Sequence, residues 1–226
     1  MPPCPNSWGA RVTADGIFVI GASGHAKVII DIVEKQALWR IAGLIDTYKG
    51  PGTQVMGYAV LGSENGLADL MAMHGVSGAI VAIGDNRIRR QVVERTRPLA
   101  PGLRFVNAIH PAARIARDVE MGEGVAIMAG VTVNPGTRIG DFCYLNTNAS
   151  VDHDNVLDPF SCVQPNAATG GNVRLGALSV LAMGATVVQG ISIGEDTVIG
   201  AGSTVLDDIP GSVVAYGTPC RVVRPR

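Results

Sequence analysis

The feature that most constrains this chain is a six-residue repeat between Ile115 and Pro210. An apolar, mostly aliphatic residue occupies the first position of every hexad except the one that has Thr169. The first positions are Ile115, Met121, Ile127, Val133, Ile139, Leu145, Val151, Leu157, Val163, Thr169, Leu175, Leu181, Val187, Ile193, Ile199 and Val205. A small or β-branched residue stands four places later in most hexads. The period matches neither a strand nor a helix, so it predicts a parallel β-helix of hexapeptide repeats.

Each hexad is expected to supply a short strand and a corner, so three hexads close one triangular coil. The sixteen hexads then build just over five coils, with the first-position side chains filling the axis. One coil cannot bury its apolar face alone, so stacking of neighbouring coils stabilises the structure. Glycines are expected where a Cβ would strain the backbone, namely at Gly122, Gly124, Gly130, Gly136, Gly140, Gly194 and Gly200.

A different pattern precedes the repeat. An apolar run, 16–20, ends in the sequence Gly-Ala-Ser-Gly-His-Ala of residues 21–26, and an amphipathic stretch follows with Val28, Ile29, Ile32 and Val33 on one face. A second apolar run, 41–45, ends at Asp46. This is a strand, a glycine turn and a helix whose N–H groups and dipole attract an anion, with an acid placed to bind a ribose or base edge. Ser23 replaces the second glycine of the usual motif, so the match is imperfect, and a tight strand–helix turn without a ligand is the alternative.

The rest of this region predicts a small α/β domain. Strands are expected at 60–61, 78–83 and 104–107, and helices at 64–73 and 87–97. A ligand should bind where the carboxyl ends of the strands bring together Gly21, Asp46 and residues 84–86. The predicted organisation is an extension (1–15), a ligand-binding α/β domain (16–108), a β-helix (109–212) and a C-terminal tail (213–226).

Composition excludes several classes of function. The formal net charge of −1 argues against a nucleic-acid-binding surface. The chain has no apolar run long enough for a transmembrane helix, and residues 1–15 lack the apolar core of a signal peptide. The four cysteines match no zinc-binding spacing. We therefore expect a cytoplasmic protein with neither a nucleic acid nor a membrane as its partner.

One polar stretch, 146–155, interrupts the apolar pattern. It contains His153, the only histidine of the sixteen hexads, between Asp152 and Asp154. A carboxylate beside an imidazole fixes its tautomer and raises its basicity, as a general base requires. A surface histidine in a polar loop is the alternative. A metal site is not expected, because Pro135 and Gly171 stand one coil away from the histidine.

The stacking of coils also suggests a cofactor groove. Residues 167–171, Ala-Ala-Thr-Gly-Gly, lie one coil above the histidine, and Asn148 should stack below Asn166 as Asp154 does below Asn172. Such a small-residue surface suits a thin, amide-bearing ligand such as a pantetheine arm. Arg221 and Arg224 could bind its phosphates.

Together, residues 21–27, Asp46, 84–86, 152–154 and 217–221 resemble one family over nearly the whole chain. It comprises bacterial sugar acetyltransferases with an N-terminal nucleotide-sugar domain and a left-handed β-helix, among them 4-amino-sugar N-acetyltransferases and sialic-acid O-acetyltransferases. The resemblance implies a homotrimer with active sites between subunits, acetyl-CoA as the co-substrate, no metal, and a nucleotide-linked amino sugar, GDP-perosamine above all, as the acceptor.

The resemblance also implies residue roles. His153 and Asp154 would be catalytic. The nucleotide-sugar site would comprise Gly21, Ser23, Gly24, His25, Asp46, Asp85 and Asn86, and the acetyl-CoA site Asn166, Ala167, Gly170, Gly171, Ala182 and Arg221. Residues 157–159, Leu-Asp-Pro, depart from the usual corner and put the turn after His153 in question. The alternatives are a UDP-linked amino sugar, O-acetylation of a sialic acid, a zinc hydratase, or a non-catalytic nucleotide-sugar-binding protein.

Overall fold

The computed structural model describes residues 15–226, so the predicted extension lies outside the described residues apart from Asp15. The N-terminal domain is a six-stranded sheet with helices against it. Its strands are β1 (Gly16–Ile20), β2 (Arg40–Ile45), β3 (Gln54–Val55), β4 (Tyr58–Gly62), β5 (Val76–Val81) and β6 (Arg104–Phe105), and its helices are α1 (Gly24–Gln36), α2 (Leu67–His74) and α3 (Asn86–Leu99). The strand order is β3-β4-β2-β1-β5-β6. All neighbours are parallel except β3 and β4.

Two details of this domain differ from the prediction. The hairpin of β3 and β4 was not expected, because β3 has only two residues and no readable alternation. Helix α1 buries Ala26, Ile29, Ile30 and Val33, which follow the i, i+3, i+4, i+7 spacing of one helix face. Val28 falls off that face and is 40% exposed, so its predicted place in the core is wrong.

The repeats form a triangular prism with three parallel sheets. We call the first the docking sheet; its strands are β7 (Ala108–Ile109), β10 (Ala126–Ile127), β13 (Tyr144–Leu145), β16 (Cys162–Val163), β19 (Val180–Leu181), β22 (Val198–Ile199), β24 (Val213–Gly217) and β25 (Cys220–Pro225). The smooth sheet contains β8 (Arg114–Ile115), β11 (Thr132–Val133), β14 (Ser150–Val151), β17 (Ala168–Thr169), β20 (Thr186–Val187) and β23 (Thr204–Val205). The charged sheet contains β9 (Glu120–Met121), β12 (Arg138–Ile139), β15 (Val156–Leu157), β18 (Arg174–Leu175) and β21 (Ser192–Ile193).

The coil repeat agrees with the sequence pattern. Ser150 pairs with Ala168 and Val151 with Thr169, an offset of eighteen residues that recurs between successive coils. From Ile127 to Val205 the first-position side chains are buried along the axis, as expected, whereas Ile115 and Met121 of the first coil are partly buried. The outward residues distinguish the three sheets. Those of the docking sheet pack on the N-terminal domain, those of the smooth sheet are mostly short, and those of the charged sheet include Arg138 and Arg174.

The corners of the prism follow a rule for positive φ that the sequence analysis assigned to the right positions only in part. From Asp118 to Gly202, every fourth position of a hexad has a positive φ. Gly124, Gly130 and Gly136 occupy such positions and were correctly chosen. Gly122, Gly140, Gly194 and Gly200 do not, and they are needed for a different reason. They stand at second positions, where a Cβ would lie within 3.0 Å of an atom of the next coil or, for Gly200, of the Tyr216 side chain.

The chain leaves the prism through the antiparallel hairpin of β24 and β25, which extends the docking sheet beyond β22. Among residues 15–226, none of the helices combines the length and the apolar character that crossing a lipid bilayer requires.

Candidate active site

His153 lies on the edge of the prism between the smooth and charged sheets, in the corner that joins β14 to β15. It occupies the third position of its hexad, so its side chain points away from the axis and is 48% exposed. The neighbouring αL residue, Asp154, places its carboxylate 2.8 Å from Nδ1 of the imidazole. The predicted pairing of this histidine with an acid is therefore present in the structure.

This pairing determines both the tautomer and the basicity of the imidazole. Since a carboxylate can only accept, Nδ1 carries the proton and Nε2 is left with its lone pair. The hydrogen bond to Asp154 raises the pKa of His153 above its usual value, and the negative charge of Asp152 adds to the effect. The result is a half-exposed imidazole with a free and strengthened basic nitrogen.

The corner that carries His153 is held from inside the prism by polar residues. Asn155 is fully buried, and its amide donates to the carbonyls of Asp152 at 2.6 Å and Gly170 at 3.0 Å. Below it, the buried Thr137 hydroxyl donates to the Asp152 carbonyl at 2.8 Å. Thr169, the exception among the first positions, accepts from the Asp152 N–H at 3.4 Å. The turn after His153, which the sequence 157–159 had put in question, is thus held in place by hydrogen bonds. Asn155 and Thr169, which contribute to these bonds, are polar exceptions to the repeat pattern.

Gly171 lies one coil above His153 and contacts the ring. A Cβ at this position would be 2.5 Å from both Cε1 and Nε2 of the imidazole. Because the Gly170 carbonyl accepts from Asn155, the planar peptide turns the Gly171 N–H the opposite way. Within residues 15–226 this N–H has no acceptor. A backbone donor without a partner therefore lies beside the basic nitrogen.

The residues predicted to bind acetyl-CoA flank the smooth sheet. Asn166 and Ala182 stand on the edge shared with the docking sheet, and Gly170 and Gly171 on the edge with the charged sheet. Ala167 does not belong with them. Its side chain is fully buried in the axis, its N–H donates to Gln164 and its carbonyl accepts from Ser150. The side chain of Ala167 therefore cannot contact a cofactor on the surface of the prism, which corrects the prediction for this residue.

Arg221 stands near the top of the edge that carries His153. It pairs with the exposed Asp207 at 3.1 Å, and Asp207 lies two coils above Gly171 in the same column. The guanidinium of Arg224 donates to the neighbouring Pro225 carbonyl at 3.0 Å. Arg221 is thus the better placed of the two cations relative to the imidazole.

The glycine turn of the N-terminal domain lies at the carboxyl ends of β1 and β5. Gly21 has φ +110°, and a Cβ would lie 3.0 Å from the Ala82 carbonyl. Ser23 caps helix α1 without donating or accepting through its side chain, and the first turn has no acidic residue. The turn therefore presents a hydroxyl that makes no capping hydrogen bond, at the positive end of the helix dipole.

Asp46 comes close to this turn, but its carboxylate already has several partners. It accepts from the backbone N–H of Ala22 at 2.7 Å, of Tyr48 at 2.8 Å and of Lys49 at 2.9 Å. Through these hydrogen bonds Asp46 connects the loop after β2 to the glycine turn.

His25 lies where the domain meets the prism. Its ring stacks on Tyr144 of the docking sheet, with centroids 5.0 Å apart. Burial, helped by the charge of Arg89, lowers the pKa of His25 to about 4. The imidazole is neutral near pH 7, so it offers a phosphate no positive charge. Its buried Nε2 has no hydrogen-bond partner in the described part of the chain.

The turn after β5 is used differently from the prediction. Asp85 caps α3 by accepting from the Ile88 N–H at 2.9 Å. Asn86 is 3% exposed and donates to the carbonyls of Leu178 and Ser179, both at 3.1 Å. Its assignment to the nucleotide-sugar site is therefore corrected, because its amide is buried in a contact between the domain and the prism.

The sequence analysis missed Arg89, a fully buried arginine between the two domains. A signal existed in the repeat. At the fourth positions, where other corners have Gly, Asn or Asp, the chain has Phe142, Phe160 and Leu178 with φ of 57°, 61° and 63°. Bulky residues in this conformation need compensating contacts, and Arg89 and its helix provide them.

Within one chain, the two halves of the predicted site do not meet. The N-terminal domain covers the docking sheet and the edge of Phe142 and Phe160, through contacts of His25 and Arg89. His153 stands on the opposite edge of the charged sheet, where this sheet meets the smooth sheet. The glycine turn and the imidazole of the same chain therefore face different sides of the prism.

Two further observations delimit the site. A cavity of about 940 Å³ opens at the first coil beside Trp39, Ile115 and Met121, but no predicted site residue lines it. Among residues 15–226, no cluster of three or more His, Cys, Asp or Glu side chains could hold a metal ion.

Known proteins share both domains of this chain. Residues 16–96 match the family model of the PglD N-terminal domain. The crystal structure of a histidine-to-alanine mutant of GDP-perosamine N-acetyltransferase from Caulobacter crescentus, in complex with CoA and GDP-perosamine, is 39% identical. It superposes with a TM-score of 0.87 and covers 95% of this chain and 99% of that one. The acetyltransferase domain of PglB from Neisseria gonorrhoeae, in complex with acetyl coenzyme A, is 31% identical with a TM-score of 0.84, over 93% and 100% of the two chains.

Similarity to other characterised relatives is partial. UDP-N-acetylbacillosamine N-acetyltransferase of Bacillus subtilis is 32% identical over 120 residues, which is 50% of this chain and 51% of that protein. Serine acetyltransferase of Synechococcus elongatus is matched over 62% of its length. The chain belongs to the family of left-handed β-helix acetyltransferases that carry a PglD-type N-terminal domain. The predicted fold and enzyme class, with acetyl-CoA as the acetyl donor, are confirmed at this level.

Proposed function

We propose that this chain transfers the acetyl group of acetyl-CoA to the 4-amino group of a nucleotide-linked deoxy sugar, with GDP-perosamine as the acceptor. The observation that carries the proposal is the arrangement of His153: a free Nε2, a carboxylate on Nδ1 and a glycine N–H alongside. The similarity over both domains to an enzyme crystallised with CoA and GDP-perosamine supports the choice of substrates.

In the proposed mechanism, Nε2 of His153 takes a proton from the sugar amine as the nitrogen attacks the thioester carbonyl carbon. The new C–N bond gives a tetrahedral intermediate, which collapses as the C–S bond breaks. The imidazolium then returns its proton to the departing CoA thiolate. Asp154 holds the ring in the required tautomer and stabilises its charged form.

The negative oxygen of the intermediate needs a donor, and we assign this role to the Gly171 N–H. Backbone donors that are already oriented stabilise such an oxyanion without reorganising, and one of them is typically worth about 10²–10³ in kcat. Asn155 contributes indirectly, because its hydrogen bond to the Gly170 carbonyl fixes the plane of the peptide.

We place the pyrophosphate of the acceptor at the start of helix α1, against Gly21, Ser23 and Gly24, with His25 and Asp46 at its border. The Ser23 hydroxyl, which makes no capping hydrogen bond, and the positive end of the helix dipole support this assignment. Acetyl-CoA is assigned to the smooth sheet and its edges, along Asn166, Gly170, Gly171 and Ala182. Arg221 is then assigned to the phosphates.

Because the glycine turn and His153 of one chain face different sides, we propose that the active site forms between copies. A homotrimer brings the imidazole edge of one prism next to the nucleotide domain of another. We also assign the enzyme to the cytoplasm, in the supply of activated sugars for lipopolysaccharide O-antigen, where its buried thiols Cys143, Cys162 and Cys220 would stay reduced.

The test is CoA release measured with purified enzyme, acetyl-CoA and a panel of acceptors. We expect GDP-perosamine to be acetylated most efficiently. UDP-linked 4-amino sugars are the second candidate, since the Bacillus relative is named for such a substrate. Efficient O-acetylation of a sialic acid, or no release with any amino sugar, would refute the proposal.

The role of His153 is tested by His153→Asn, which keeps the size of the side chain and removes the base. We expect kcat to fall by about 10²–10⁴-fold, the usual worth of general base catalysis. Binding of GDP should stay within twofold of wild type, because the substitution lies on the prism. A loss of kcat below threefold would show that the imidazole is not the base.

A further inference from the structure

Helix α3 lies along one edge of the prism, which we call the seam. The seam is the edge between the charged and docking sheets, and it consists of the positive-φ corner residues Phe142, Phe160, Leu178 and Asp196. These residues are spaced by eighteen, so each belongs to a successive coil. A helix of fourteen residues is about 21 Å long, and three coil steps at the strand spacing cover about 14 Å. One helix can therefore reach every corner of the seam.

The contacts of α3 descend the seam in order. Arg87 forms a bidentate ion pair with Asp196, and Asn86 donates to the carbonyls of Leu178 and Ser179. Arg89 then donates to the carbonyl of Phe160 at 3.1 Å and of Phe142 at 3.0 Å. The polar face of the helix start thus binds four coils at one edge.

Arg89 is the centre of this contact. Its side chain is fully buried, and it also donates to the carbonyls of Ile83 at 3.0 Å and Gly84 at 3.2 Å and to Oδ1 of Asn86 at 2.9 Å. Its guanidinium carbon lies 3.9 Å from the centre of the Tyr144 ring. No carboxylate pairs with it in the described part of the chain.

A buried charge without a counter-ion is costly, so the fold must need what this side chain provides. A guanidinium is a rigid planar fork that fixes several acceptors at set angles, which a lysine or an apolar residue cannot do. The acceptors come from both domains. Ile83 and Gly84 belong to the turn beside the glycine turn, and Phe142 and Phe160 belong to the prism.

The coils that are held this way carry the proposed chemistry. Phe142 and Phe160 are the start and end of one coil, and His153 lies within it. Leu178 ends the next coil, which carries Gly171. Arg89 and Asn86 therefore bind the seam corners at the start and end of the coils that carry His153 and Gly171. In the proposed homotrimer, fixing the domain on its own coils also fixes it against the neighbouring copy.

We propose that Arg89, together with Asn86, is a positioning residue. It sets the location of the nucleotide-binding turn relative to the coils of His153 and Gly171, and it touches neither substrate. The inference rests on the proposed function. If Arg89 has this role, replacing its guanidinium should affect turnover and not nucleotide binding. Nucleotide affinity should be unchanged, because the nucleotide-binding turn lies within one domain. The value of kcat should fall, because the sugar amine is no longer aligned with His153.

The experiment compares Arg89→Lys and Asn86→Ala with Arg90→Lys as the control. Arg90 is on the same helix but is half-exposed and pairs with Glu94, one turn further along that helix. GDP affinity is measured by calorimetry, and kcat with both substrates saturating. For Arg89→Lys and Asn86→Ala we expect GDP affinity within twofold of wild type and a loss of kcat of about tenfold or more. The control should stay within twofold in both quantities.

Asn86→Ala shows whether Asn86 acts through the seam or contacts the nucleotide directly. This variant also tests the inference on its own if Arg89→Lys does not fold. A tenfold loss of GDP affinity with unchanged kcat would place Asn86 in the nucleotide site and overturn the inference. Values of kcat within threefold of wild type would also overturn it.

Hydrogen exchange separates the inference from the proposed function. We expect Arg89→Lys to speed amide exchange in α3 and in residues 142–160, even if the wild-type chain acetylates no acceptor tested. Unchanged exchange in both segments would mean that Arg89 does not hold the seam. Absence of acetylation by the wild type, with faster exchange in the variant, would refute the proposed function and leave the seam in place.

Discussion

Replacing Gly171 with alanine tests how closely the reaction depends on the position of one imidazole. The new Cβ would lie 2.5 Å from Nε2 and Cε1 of His153. Carbon contacts are comfortable at about 3.5 Å, so the ring must move by about 1 Å. The Nδ1 bond to Asp154 is 2.8 Å long and would have to stretch or break with that movement.

A displacement of this size can cost about 10²-fold in rate, so we expect kcat for CoA release to fall by that order in Gly171→Ala. Gly171 has no positive φ, and its nearest neighbours are all atoms of the exposed imidazole, so thermal unfolding should be nearly unchanged. The matched variant is Gly170→Ala, whose Cβ would lie 2.7 Å from the backbone nitrogen of Gln189. That variant should lose thermal stability as well.

The expected pattern is therefore a fall in activity without a fall in stability at one glycine, and a fall in stability at its neighbour. If Gly171→Ala kept kcat within threefold of wild type, the imidazole would either not lie against Gly171 in solution or not take part in the chemistry.

Two more predictions concern the surroundings of His153. The hydrogen bond to Asp154 raises the pKa of His153, and a general base must be unprotonated, so wild-type activity should fall as pH drops through a value above the usual 6.5. In Asp154→Asn that limb of the pH–rate profile should move to lower pH while the plateau falls; a limb that did not move would contradict the pairing. In Thr137→Val the Asp152 carbonyl loses its hydroxyl donor and the Asn155 N–H loses its acceptor, which should lower the free energy of unfolding by about 1–3 kcal/mol in urea titrations. The exposed Thr186→Val should change that free energy by less than about 0.5 kcal/mol, and equal effects of the two variants would refute the role of Thr137.

The repeat and the His153 segment were predictable because each depends on local rules. An apolar residue every six positions fixes the axis, and an acid next to a histidine in sequence is next to it in space. Asn155 and Thr169 could have been read in the same way, since each breaks the repeat at a defined position. Both turned out to support the histidine corner.

The misassignments share a physical cause. Whether Asn86 faces a ligand or another domain depends on contacts with residues about ninety positions away, such as Leu178. No local pattern reports such a distance. Ala167 was misplaced because a glycine-rich surface was inferred for a whole segment, whereas the prism alternates inward and outward residues within each hexad.

The seam has a consequence for how such a chain can change length during evolution. Three hexads make one coil, so inserting or deleting a single hexad between Phe142 and His153 would move the imidazole to a different edge, a third of a turn away from its present one. Only a change of eighteen residues, or a multiple, would return it to the same edge, and even that would shift it by a whole coil from the level that Arg89 grips. Homologous chains that keep this chemistry should therefore preserve the eleven-residue interval between these two positions, even where their overall number of coils differs.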